Sequence, residues 1–196
     1  MDSAGRPMYR VLLILSILPI AAALVARWWF SLRILVLEGK RPCVADLRNW
    51  LPPPGDEALI HRAEGTASEF GKQLRAKALA EWRETDPKAA GSRENSRRFG
   101  LAVPPLSVMV AVFAVLVGRL PVLGGCAVFL AATAVAALLG LLTLPPELAA
   151  ITRAARKVRE ERAFPHGDDE AAVIRSAKAH AWDQSLPPML RWFHRV

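Results

Sequence analysis

Val11–Phe30 reads VLLILSILPIAAALVARWWF. It is an apolar run of about 20 residues, long enough as a helix to cross about 30 Å of hydrocarbon. Pro19 predicts a kink within it. Arg27 lies close enough to the end to snorkel, and Trp28 and Trp29 fall where an interfacial aromatic belt is expected. The start also has features of a secretory signal: Arg6 and Arg10, an apolar stretch, then Ala23-Leu24-Val25-Ala26 as a small-residue cleavage site. The sequence stays apolar through Leu37, with bulky Trp28, Trp29 and Phe30 following at once, so an uncleaved anchor over residues 1–37 is the preferred reading.

Two more apolar runs follow, Leu101–Val117 and Val122–Leu144. Only Gly118-Arg119-Leu120-Pro121 separates them, which predicts a transmembrane hairpin over 101–144. The third run carries small residues at helical spacing: Ala127 and Ala131, then Ala132, Ala136 and Gly140. Such spacing lets helix backbones approach closely in lipid. The fold class expected is therefore an all-α integral membrane protein, with three transmembrane helices and amphipathic helices in 38–100 and 145–196. No strand is expected.

The whole chain is 196 residues, 53% hydrophobic, with a formal net charge of +8. It is too apolar to be disordered. Two cysteines, Cys43 and Cys126, are too few for a disulfide framework or a zinc ribbon. A basic chain raises nucleic acid as a partner, but in 31–100 the acids nearly balance the bases and no aromatics interleave them. No nucleic-acid partner is expected. The bases mark topology instead. All 26 Lys and Arg fall in 31–100 or 145–196, except Arg6, Arg10, Arg27 and Arg119. Positive charge stays cytoplasmic, so these two segments are expected inside a bacterial cytoplasmic membrane, with the N-terminus and the hairpin turn outside. Anionic lipids are the first expected partners.

Within 38–100, Pro52-Pro53-Pro54-Gly55 is a rigid break and Asp56 a candidate cap, predicting a helix over 56–85. Its apolar stripe is Leu59, Ala63, Ala67, Phe70, Leu74, Ala78 and Trp82; Arg62, Glu69, Lys72, Arg75 and Arg83 form the solvated face. Residues 86–100 read as a solvated linker. In the tail, Pro145, Pro146 and Glu147 start a helix whose apolar side is Leu148, Ile151, Ala155 and Val158. Phe164–Gly167 ends it, and Asp168-Asp169-Glu170 favours a second helix to about Ser185. The final MLRWFHRV suits a membrane surface or a mobile tail.

No motif for chemistry stands out. His61, His166, His180 and His194 include no i, i+4 pair, and His180 with Asp183 is only a weak metal pair. Ser68, Ser92 and Ser107 have no histidine base nearby in sequence.

One resemblance is carried by two segments. Leu142-Thr143-Leu144-Pro145-Pro146-Glu147-Leu148-Ala149-Ala150 is similar to the Thr-Leu-Pro-x-Glu segment that follows the transmembrane hairpin in bacterial membrane-bound neutral zinc metallopeptidases, the YugP-like group. Ala67-Ser68-Glu69-Phe70-Gly71-Lys72-Gln73-Leu74 resembles that family's Ala-His-Glu-Val-Gly-His-Ala-Ile helix. Val173–Ala177 is similar to a further stretch of the family. The resemblance implies that Glu69 stands for the general base and Glu147 for the third zinc ligand. Ser68 and Lys72 then occupy the positions of the two zinc histidines, and neither holds a dication. The implied protein is a non-catalytic member with no metal and no cofactor, a scaffold or regulatory partner in a membrane complex. It would bind protein through helix 122–144 and the cytoplasmic helices. The alternatives are a structural subunit unrelated to proteolysis, or a hydrolase using His180, Asp183 and Glu147 together.

Overall fold

The structure, a computed structural model, describes residues 5–46, 50 and 63–192. It is 83% helical, with three helices long and apolar enough to cross a membrane. The first begins with α1 (Gly5–Arg27), continues through a π-helical turn at Trp28–Leu32 and ends as α2 (Arg33–Leu37). Two short strands follow, β1 (Pro42–Val44) and β2 (Glu64–Thr66), then α3 (Ala67–Thr85), α4 (Pro87–Leu116), α5 (Val122–Leu142), α6 (Leu144–Glu160), α7 (Gly167–Ser185) and α8 (Pro188–Trp192).

Three expectations need correction. The chain is not wholly α: β1 and β2 pair antiparallel, with Cys43 opposite Gly65. The helix expected over 56–85 begins at Ala67, because residues 64–66 are drawn into that ladder; residues 56–62 lie outside the described residues. The stretch 86–100 is no linker. It is the first half of α4, capped where Asp86 Oδ1 accepts from the N–H of Ala89. Of the final MLRWFHRV stretch, Leu190 is buried with Leu186 and Met189 is exposed. Residues 193–196 lie outside the described residues.

The chain divides into two compact units. The first comprises Met1–Val25, Glu94–Thr143 and Ser185–Val196. Its α5 buries Gly124, Gly125, Ala127, Thr133, Ala134, Ala136, Ala137 and Gly140, so Ala127, Ala136 and Gly140 of the small-residue face pack inside the chain while Ala131 and Ala132 are half-buried. Ala137 meets Ala23, Leu186 and Leu190. At Gly140 there is room for no side chain, because the Ser185 carbonyl sits where a Cβ would be. Gly118 turns the hairpin with φ of 72°, a left-handed conformation natural to glycine. The outer surface of this unit is apolar: Ile14, Leu18, Met109, Phe113, Leu116 and Val122 are all well exposed. These residues lie on the three helices that are long and apolar enough to cross a membrane.

The second unit comprises Ala26–Arg93 and Leu144–Gln184. Its core is the apolar stripe of α3 (Phe70, Leu74, Ala78) against Ile151, Ala155 and Val158 of α6 and Val173, Ala177 and Ala181 of α7. Trp50, Phe70 and Phe164 meet edge to face, with ring centroids 5.2–5.6 Å apart. The indole N–H of Trp50 donates to Gln73 Oε1 at 2.7 Å, so this buried ring keeps its polar partner.

Candidate functional site

The site built around α3 lies wholly in the second unit. The start of α3 is a capping box: Thr66 Oγ1 accepts from the N–H of Glu69 at 3.3 Å, and Glu69 Oε2 accepts from the N–H of Thr66 at 2.8 Å. The N–H groups of Ala67 and Ser68 donate to the carbonyls of Arg41 and Gly39, both at 2.9 Å. The strand pair therefore feeds its flanking carbonyls to the orphan donors of the helix. Glu69 is thus a capping carboxylate rather than a solvated side chain. The signal was in the sequence, as Thr-x-x-Glu at 66–69, but Asp56 offered an earlier start.

Ser68, the second residue of α3, faces α7. Its hydroxyl lies 2.9 Å from His180 Nε2, which is also 3.2 Å from the Ser68 carbonyl. The histidine that sequence spacing did not place near Ser68 is supplied by a helix more than 100 residues away. His180 is 8% exposed. Burial pushes its pKa down to about 4, and the Lys72 and Arg75 cations add to this against the Ser68 carbonyl and Asp183. The ring is neutral near pH 7. One turn on, Asp183 pairs with Arg27 at 2.9 Å. Arg27 is therefore buried in an ion pair and does not snorkel. Gly71 fixes the approach of α3 to α7: a Cβ there would stand 2.8 Å from the Ala177 backbone nitrogen.

Glu147 is fully buried in the first turn of α6. Its Oε1 accepts from Arg75 Nε at 2.7 Å and its Oε2 from Arg93 Nε at 2.6 Å. Arg75 and Arg93 are 5% and 3% exposed. Arg75, expected on the solvated face of α3, is instead drawn inward by this carboxylate. Arg93, expected as a flanking topology charge, enters from α4. Nothing local to either residue announces this; the three meet only through the packing of α3, α4 and α6.

These residues do not fit a zinc ion. Both carboxylate oxygens of Glu147 are engaged by guanidiniums, Lys72 is an exposed cation, and Ser68 holds His180. No cluster of three His, Cys, Asp or Glu side chains suited to a metal occurs among the described residues. His180, Asp183 and Glu147 do not converge either, since each has a different partner. Cys43 is no substitute: burial, with the nearby Asp169, raises its thiol to about 11. Comparison with family models, curated proteins and solved structures finds none that matches this chain.

Proposed function

We propose that this chain is an integral protein of a bacterial cytoplasmic membrane that acts by binding, as a non-catalytic scaffold or regulatory partner in a membrane complex. In this reading the second unit is a degenerate relative of the membrane-bound neutral zinc metallopeptidases. Ser68 and Lys72 replace the metal histidines, and an Arg75–Glu147–Arg93 cluster occupies the place of the third ligand. The observation that carries the reading is the engagement of both Glu147 oxygens, which leaves no carboxylate face for a metal. The distribution of Lys and Arg supports cytoplasmic placement of 31–100 and 145–196. The purified full chain is expected to carry no stoichiometric zinc and to cleave no peptide. Stoichiometric zinc, with cleavage that disappears in Glu69→Gln, would overturn this. A lone, well-folded monomer in mild detergent counts against the scaffold role.

A second reading, an active hydrolase, is favoured by the 2.9 Å approach of His180 to Ser68. It meets a physical obstacle. The N–H groups of residues 67–69 already donate to Arg41, Gly39 and Thr66, so the first turn of α3 has no donor left for an oxyanion. Covalent labelling of the protein by a fluorophosphonate, abolished in Ser68→Ala, would establish this reading over the first.

A further inference from the structure

The first unit holds an apolar cavity of about 840 Å³ between α1, α5 and α8. Ile20 and Leu24 form one wall, Phe129 and Leu130 a second, and Met189 and Leu190 a third. The volume lies in the range of small-molecule sites. Among the described lining residues Thr133 alone has a polar side chain, and its hydroxyl donates to the Phe129 carbonyl at 2.9 Å. With that donor spent, the wall is overwhelmingly apolar and matches a bare hydrocarbon.

The depth of the cavity says which hydrocarbon. Val11 opens one candidate span and Ile20 follows about 14 Å along the helix. Val122 opens another, and Leu130 follows about 12 Å along it. Each distance is close to half of the roughly 30 Å hydrocarbon core. Tyr9 touches the Gly124 position and Ala23 packs with Ala137, so α1 and α5 run parallel and the two depths are measured from the same face. The tail segment from Ser185 to Leu190 reaches this depth, with Leu186 and Leu190 buried against Ala23 and Ala137. The surroundings at that depth are acyl chains.

We propose that this cavity is a binding site for an acyl chain of a membrane phospholipid, closed on one side by the α8 segment. The inference rests on the membrane reading above. The test uses the full chain in nanodiscs of phosphatidylcholine with a diazirine near the middle of one acyl chain. After photolysis, peptide mapping should find Phe129, Leu130 and Met189 labelled several-fold more than outward-facing Leu18 and Leu116. Leu130→Trp, or Ile20→Trp from the opposite wall should that variant not fold, should bring cavity labelling down to the level of Leu18. Equal labelling of cavity and outer faces overturns the acyl-chain site while leaving the membrane reading standing. Absence of label at every position overturns both.

Discussion

Glu147→Gln leaves Arg75 and Arg93 in a buried setting without the carboxylate that both engage. Breaking a buried ion pair from one side costs about 3–5 kcal/mol. Thermal unfolding in detergent should show that loss, or failure to fold. His180 supplies a pH signature. Its folded pKa, about 4, lies below the ordinary value of 6.5. Its contribution is fully present above pH 6.5 and is lost as pH falls through 4, because a buried neutral ring must take a charge. The difference is on the order of 3 kcal/mol. The wild-type chain should lose more stability between pH 7 and pH 4 than His180→Asn does, in matched unfolding curves. Of these partners only the residue types were legible in the sequence. Glu147 was singled out as a first-turn acid, but Arg75, 72 positions away, read as surface. Local periodicity cannot report a partner supplied by another helix.

At the scale of elements, the start of α3 separates two roles for Glu69. As a cap it accepts a hydrogen bond, which glutamine can also do. Glu69→Gln should therefore leave stability nearly unchanged, whereas Thr66→Ala should cost about 1 kcal/mol. Urea unfolding of the two variants side by side checks this. Gly71 gives the opposite lesson from helix propensity. Alanine in a helix interior ordinarily stabilises by about 1 kcal/mol over glycine. Here the added methyl meets the backbone of α7, so Gly71→Ala should destabilise by about 1–3 kcal/mol. Melting temperatures of that variant and of Gly91→Ala, which has open space around it, make the contrast. The tail helices were readable because proline, acid and glycine punctuation is local: α6 and α7 fall where those signals put them. The first half of α4 was hidden because its polar composition resembles a linker. Its helical form depends on burying Ala90 against Trp82 and Ala150, and on the pull of Glu147 on Arg93.

For the whole molecule, hydropathy located the three long apolar helices because an unbroken apolar run of that length is a local signal, whatever its neighbours. The side each end faces is a separate matter, argued only from charge. Single cysteines replacing Arg119 and Arg153, in a Cys126→Ser background with Cys43 buried, address it. In sealed vesicles, an impermeant maleimide should reach position 119 from one face and position 153 from the other. Labelling of both from the same face would rule out the expected three-span topology. The packing of the small-residue face of α5 within its own unit was not legible, since a periodic row of alanines looks the same whether its neighbour belongs to the same chain or another.

The Arg75–Glu147–Arg93 cluster also imposes an order in time. Chains are made from the N-terminus at about 5–20 residues per second. Arg93 leaves the ribosome 54 residues before Glu147, and the hairpin lies between them. Compaction of α3 against its neighbours before that moment would sequester two guanidiniums without their counterion. At that rate the intervening 54 residues take about 3–11 seconds, and closure of the 63–93 segment within that time would leave both arginines without Glu147. A ribosomal product that stops short of Leu144 lacks the residue that closes the second unit.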